Sequence, residues 1–414
     1  MNRKTQQKEG VIFYQKILPM PFLAVWMMVI MTMMWSQLDM YLPALPVIQK
    51  EFGVSAAYLN VTINVGLVTM AVGTLIGGIL SDGLGRKGLL IGGSLLSAAG
   101  CFCASMAGSV MFIAVSRAAG CFGEGFVLAI LMAVVRDSYE GKTFDRIMTV
   151  MQSAAAAGPL VGPLIGSAII NHFSWRYIFV FLGGVTLIAT LPLFLMTETW
   201  GPEKRVKADF AHLMRDGVSI ASDRGVVLLI AVNALLTIPM WSYISVSSYV
   251  FINEFGLSNT AYGYFYAAGL VLTLIGPFLC MFLSRFMSNR NLITLIISLT
   301  GIGGLLFFAV GKSSPYVFLL CVAPGLIAEA MIRPLAMIIL LGEKPEQAGA
   351  MSSWIQFVLN LIGIVGTSLA TLSWSSMVVG LGVISTICAL AAALCWAVLL
   401  KKSLLPSLAA GRES

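Results

Sequence analysis

The sequence predicts an all-α membrane protein in which twelve spanning helices form two pseudo-symmetric six-helix bundles. Three observations lead there. Of the 414 residues, 58% are hydrophobic and 10% charged, and the mean hydropathy is +0.93; a soluble globular chain carries about 25% charged residues. Apolar runs recur at roughly 20–41, 58–80, 88–107, 109–135, 147–169, 175–196, 226–252, 260–283, 291–310, 315–341, 348–372 and 376–400. Each is near the ~20 residues that a bilayer-spanning helix needs. The one long polar segment, 198–225, follows the sixth run and reads as a cytoplasmic linker carrying a short surface helix. It separates bundles expected at 1–197 and 226–414, which should be internal repeats.

Lysine and arginine set the orientation. Of the 25, 20 fall in the terminal segments and alternate loops that share one side, from Arg3 to Arg412. The other side holds Lys50, Arg176 and Lys312, and Arg117 and Arg333 lie inside spans. The positive-inside rule then places both termini in the cytoplasm of a multi-pass protein of the cell's inner (plasma) membrane. The net charge of +7 reflects this topology, and no nucleic-acid partner is expected. Basic residues before the first run resemble a secretory leader, but the run is too long and no small-residue cleavage site follows, so the first span should be retained. All seven cysteines lie in spans without metal-ligand spacing and there are two histidines, so neither a metal site nor a cofactor is expected. No phosphate loop or nucleophile elbow is present, which argues against a pump driven by ATP and against an enzyme. No filter or charged ring suggests a channel. What remains is a secondary transporter powered by an ion gradient; it is expected to work as a monomer in the lipid bilayer.

In the first span, Met31, Trp35 and Asp39 share a face at i, i+4 spacing. If the helix runs to about Val47, bent by Pro43 and Pro46, Asp39 lies at the same depth as Arg117 of the fourth span, and the two can pair. The second span ends in GGILSDGLGRKGLL. This stretch resembles the signature of the major facilitator superfamily, G-x-L-[A/S]-D-x-x-G-R-[K/R], through Gly78, Leu80, Ser81, Asp82, Gly85, Arg86 and Lys87. Gly83 stands where the family often has arginine. A glycine-rich turn lets two helices approach closely, and Asp82 can accept hydrogen bonds from a helix end or pair with a cation, latching one conformation.

The fourth span holds two charges, Arg117 and Glu124, on one face and roughly 10 Å apart along the axis. A charge at such depth costs at least a few kcal/mol and faces a partner or a wet cavity; the alternatives are a packing pair and an ion or substrate pathway. Arg117 resembles the buried arginine of the drug/proton antiporter branch, with Gly120 in place of a polar residue and Cys121 in place of a glycine. In the fifth span, AGPLVGPLIGSA resembles the antiporter motif. Its Gly158-Pro159, Gly162-Pro163 and Gly166 recur every four residues and make a smooth ridge for a close-packed neighbour. LDMYLPALP in the first span and FSWRYIF before the sixth are similar to the bicyclomycin/chloramphenicol multidrug efflux subfamily.

The second half offers neutral polar surface. Asn233, Thr237 and Trp241 share one face of the seventh span, and Gln356 and Asn360 one face of the eleventh. With Met31 and Trp35 they are candidates to line a substrate cavity, because methionine and tryptophan surfaces tolerate many ligand shapes. Glu329 and Arg333, in the tenth span, are either cavity residues or a self-neutralising i, i+4 pair.

The resemblance implies export of small lipophilic or drug-like molecules by alternating access, in exchange for protons, and hence a part in antibiotic resistance. A dedicated exporter of one cell-made metabolite, such as a metal-chelating small molecule, is the alternative, and a sugar or organic-acid importer comes third. Arginine keeps its proton, so coupling is expected to run through the carboxyls of Asp39 and Glu124, with Arg117 as the switch between them.

Overall fold

The computed structural model describes residues 11–13, 15–205, 210–343, 348–402 and 404–405. The chain divides into two compact units, Met1–Val54 with Val61–Asp209, and Ser55–Asn60 with Phe210–Ser414. The first unit contains α1 (Met20–Asp39), α2 (Val61–Leu84), α3 (Arg86–Ser105), α4 (Val110–Ser138), α5 (Gly141–His172) and α6 (Arg176–Thr190). The second contains a short helix, Phe210–Ser222, then α7 (Arg224–Ser248), α8 (Asn259–Leu283), α9 (Asn289–Val310), α10 (Pro315–Glu343), α11 (Ala348–Ala370) and α12 (Met377–Lys401). Among the described residues, eleven helical stretches are long and apolar enough to cross a membrane, and Trp354–Ala370 adds a shorter one within α11. The termini, and with them Arg3, Lys4, Lys8 and Arg412 of the charge pattern, lie outside the described residues, as do Lys207 and Lys344.

The first span differs from a single bent helix. It covers Met20–Phe52, but α1 stops at Asp39. A 3-10 turn, Leu42–Ala44, and a separate helical segment, Leu45–Phe52, complete it. The cause is local. Pro43 has no N–H for the carbonyl of Asp39 four residues back, and its ring crowds that carbonyl; Pro46 repeats the fault one turn later. Asp39 is thus the last residue of α1 and sits at a break rather than in mid-helix. Helix α7 also ends irregularly, in a wide turn over Tyr249–Glu254.

Helix neighbours follow the same pattern in both units. In the first, α1 packs on α5 and α6, α4 on α2 and α3, and α3 on α6. In the second, α7 packs on α11 and α12, α10 on α8 and α9, and α9 on α12. Adding six to each label of the first unit gives the second, as internal repeats require.

Small residues explain the tightest seams. Without water to drive apolar surfaces together, membrane helices gain from close backbone approach. A Cβ on Gly100 would lie 2.6 Å from the Cα of Gly120, and one on Gly125 would collide with the carbonyl of Met70. Gly120, which replaces a polar residue of the antiporter pattern, is therefore the floor on which α3 rests. The second unit has a continuous buried core around Val226, Leu229, Ile296, Met331, Leu335 and Trp396.

Candidate functional site

The break in α1 brings Asp39 and Tyr41 into the interior of the first unit, where both are buried. Arg117 of α4 is also buried and lies face-on to Tyr41, with its guanidinium carbon 4.2 Å from the ring centroid. Its Nε donates to the carbonyl of Thr62 at 3.1 Å. A desolvated cation over an aromatic face gains about 2 kcal/mol, which offsets part of the cost of burying the charge. Glu124 lies two turns along α4 and is 2% exposed. Its Oε2 has no hydrogen-bond partner among the described residues, and it feels the charge of Arg117 along the helix. Arg117 Nη2 is likewise without a hydrogen-bond partner among those residues. The unit therefore encloses two acids, a cation and a phenol in a region that α1, α2 and α4 share. Such a cluster can hold or release a proton at a carboxyl while the arginine stays charged.

The glycine ridge of α5 holds α1 beside this cluster. A Cβ on Gly158 would meet the Thr32 carbonyl at 2.6 Å, and one on Gly162 the Ser36 hydroxyl at 2.9 Å. One on Gly166 would collide with the Met40 carbonyl. Three glycines at four-residue spacing thus face positions 32, 36 and 40 of the first span, also four apart. Pro159 and Pro163 lie within the same helix and leave it continuous over 32 residues. Trp35 packs its Cβ against Gly158, and Met31 is buried.

At the turn between α2 and α3, Arg86 is fully buried and bonded to two carboxylates. Its Nη2 is 2.6 Å from Asp82 and its Nε 3.0 Å from Asp137. Its guanidinium also donates to the Ser81 hydroxyl and lies 4.9 Å from the centre of the Trp200 ring. The helix-end bonds fall to Glu198 rather than to Asp82: its carboxylate accepts from the amides of Arg86 and Lys87 at 2.8 and 3.1 Å. An acid is well placed at the positive end of a helix dipole. Lys87 donates Nζ to the Phe194 carbonyl at 2.7 Å. Gly85 has φ +102°, a conformation that side chains rarely adopt. A Cβ at Gly78, by contrast, meets nothing within 4 Å among the described residues, so no close neighbour there requires this glycine.

In the second unit, Glu329 and Arg333 form an ion pair of 2.8 Å within α10, the acid almost wholly buried and the arginine side chain 39% exposed. Gln356 donates to Asn360 at 3.2 Å within α11. Asn233 and Thr237 are buried in α7, where the Thr237 hydroxyl returns to the Asn233 carbonyl at 2.9 Å and Asn233 Oδ1 has no hydrogen-bond partner among the described residues. Trp241 lies against α11, where a Cβ on Gly363 would be 3.0 Å from its ring.

Three residues of these clusters did not stand out in the sequence. Tyr41 is one turn-residue within LDMYLPALP, while Asp137 and Glu198 sit at span ends, where acids are common. The one available signal was the location of Asp137 and Glu198 at the same predicted side as Arg86.

Residues 22–367 match the family model described as Major Facilitator Superfamily. The chain is 28% identical over 286 residues to the multidrug resistance protein MdtL of Shewanella oneidensis, covering 64% of this chain and 69% of that one. It is 26% identical over 228 residues to the chloramphenicol resistance protein CraA of Acinetobacter baumannii, covering 54% of each. In fold it is similar to a solved bacterial homologue of the human lysosomal transporter Spinster, inward-facing and occupied. The TM-score is 0.76 at 14% identity, over 93% of this chain and 97% of that one. A match over most of the sequence, on a fold of two repeated six-helix units, makes this a multi-pass membrane transporter and not an enzyme: the chain belongs to the major facilitator superfamily.

Proposed function

We propose that the protein exports small lipophilic or drug-like molecules in exchange for protons, by alternating access, as a monomer in the inner membrane with both termini in the cytoplasm. The observation that carries this reading is the enclosed cluster of Arg117, Tyr41, Asp39 and Glu124. Two acids buried in a transporter helix bundle are useful where one of them trades a proton for another positive partner, because an uncompensated buried charge is costly. Glu124, with an unpartnered oxygen, is the site at which a proton and a cationic substrate compete. Asp39, at the break of the first span, is the second titrating group, and Arg117 switches between them. Met31, Trp35, Asn233, Thr237, Trp241, Gln356 and Asn360 contact the substrate, with Glu329 and Arg333 setting the charge that the second unit presents. Arg86 and its carboxylates hold the cytoplasmic turn, and opening this latch at Asp82 permits the change of state. The names carried by the relatives support the substrate class, and the lysine and arginine asymmetry supports the orientation.

The test is transport into inside-out vesicles with an acid interior, using a panel of lipophilic cations, neutral compounds and anions. Accumulation of cations or neutral compounds that collapses on adding a protonophore is expected. Accumulation that ignores the pH gradient, or that requires protons to move in the same direction as the substrate, would overturn the reading.

A further inference from the structure

The break after Asp39 leaves the outer piece of the first span, Leu45–Phe52, as a short separate segment. What fastens it is a carboxylate outside the cluster already described. Glu51 accepts from the indole N–H of Trp175 at 2.6 Å and from Arg176 at 2.8 Å, at the start of α6. Arg176 also donates to the Ala107 carbonyl at 3.0 Å and lies 4.3 Å from the centre of the Trp175 ring. Glu51 and Arg176 are each more than a third exposed, so their pairing contributes little by itself. Trp175 is different: it is 1% exposed, so its N–H needs an internal acceptor, and a charged one is the strong kind.

Trp175 is the first of a run of touching rings. It meets Phe52 edge-on at 6.2 Å between centroids and Phe179 edge-on at 6.1 Å, and Phe179 meets Tyr41 at 5.6 Å. Tyr41 carries Arg117 on its face. The second unit fastens the end of α7 in a related way, for Glu254 accepts from Ser376 and from the amide of Met377 at the start of α12, at 2.9 and 2.8 Å.

We propose that Glu51 and Trp175 are positioning residues, which bind the outer piece of the first span to α6 and, through Phe179 and Tyr41, fix where Arg117 sits. The inner piece, α1, is held by the glycine ridge of α5 and also touches α6, where Trp26 donates to the Ala189 carbonyl at 2.8 Å and Gln37 to the Thr186 hydroxyl at 3.3 Å; the outer piece has a fastening of its own, at the start of α6, and the break after Asp39 lies between the two. The positional claim is independent of proton coupling; its consequence for transport rests on Arg117 being the switch.

Hydrogen exchange on the purified full chain tests it without any ligand. Glu51→Gln and Trp175→Phe should each speed exchange at residues 40–52 about tenfold, with α5 unchanged, since one charge-assisted bond is worth about that factor. Each should also speed exchange about threefold at residues 113–121, and this second effect should vanish when Tyr41 is already leucine, because coupled residues do not add. Faster exchange spread evenly over the bundle would mean general destabilisation and would overturn the proposal. No change at 40–52, or effects that add to that of Tyr41→Leu, would overturn it as well. Glu51→Gln keeps the size of a side chain that is 38% exposed, so it decides the matter if Trp175→Phe, which also removes part of a buried indole, fails to fold.

Discussion

Arg117 and Arg86 are both buried arginines, yet they are compensated in different ways, and this separates their roles. Arg86 is bonded to two carboxylates and a hydroxyl, whereas Arg117 rests on a ring and one backbone carbonyl. Removing Arg86 strands Asp137, whose side chain is 4% exposed, so Arg86→Ala should cost about 3–5 kcal/mol. Thermal unfolding in detergent should show the loss, and Asp137→Asn in the same background should recover part of it. Arg117→Lys keeps the charge but exchanges a flat cation for a compact, strongly hydrated one. It should lower transport at least about tenfold while the unfolding temperature stays within a few degrees. The charges within spans were legible in the sequence, because a charge in an apolar run has few ordinary explanations. Tyr41, Asp137 and Glu198 were not, since their meaning depends on which helix each one faces.

At the scale of elements, the glycines divide into those that a neighbour requires and those that it does not. Gly162→Val should cost about 1–3 kcal/mol, since even a Cβ already approaches Ser36 closely. It should also reduce transport by moving α1 and the adjoining Asp39. Gly85→Ala, in the α2–α3 turn, should destabilise through its positive φ, and Gly78→Ala, near the end of α2, should be tolerated; comparison of the two melting curves checks this. A destabilising Gly78→Ala would mean that this glycine packs closely in another state of the cycle. The ridge itself could be read from four-residue spacing, though not the helix that lies on it. The break in the first span was half legible. Two prolines signalled a distortion, and the place where it falls follows from which carbonyl each proline leaves without a donor.

For the whole molecule, the positions of the spans followed from hydropathy and length, while the helix neighbours did not, because apolar faces in a bilayer carry no mark of what they touch. The repeated neighbour pattern in the two units supplies that information. Orientation can be checked directly: reporters fused at Gly141 and near Lys204 should both behave as cytoplasmic, and an external result for either would reverse the assigned topology. The central claim is that protons move through the first unit. Its most direct measurement compares Asp39→Asn, Glu124→Gln and Glu329→Gln in reconstituted vesicles. The compound of the panel that the parent protein moves fastest is used, and pH-gradient-driven transport is recorded beside substrate-induced proton release. The account predicts that Asp39→Asn and Glu124→Gln each lose coupling, and that Glu329→Gln retains it because Glu329 is already paired with Arg333. Coupling that survives in both of the first two variants and disappears only in Glu329→Gln would contradict it and move the proton path to the second unit.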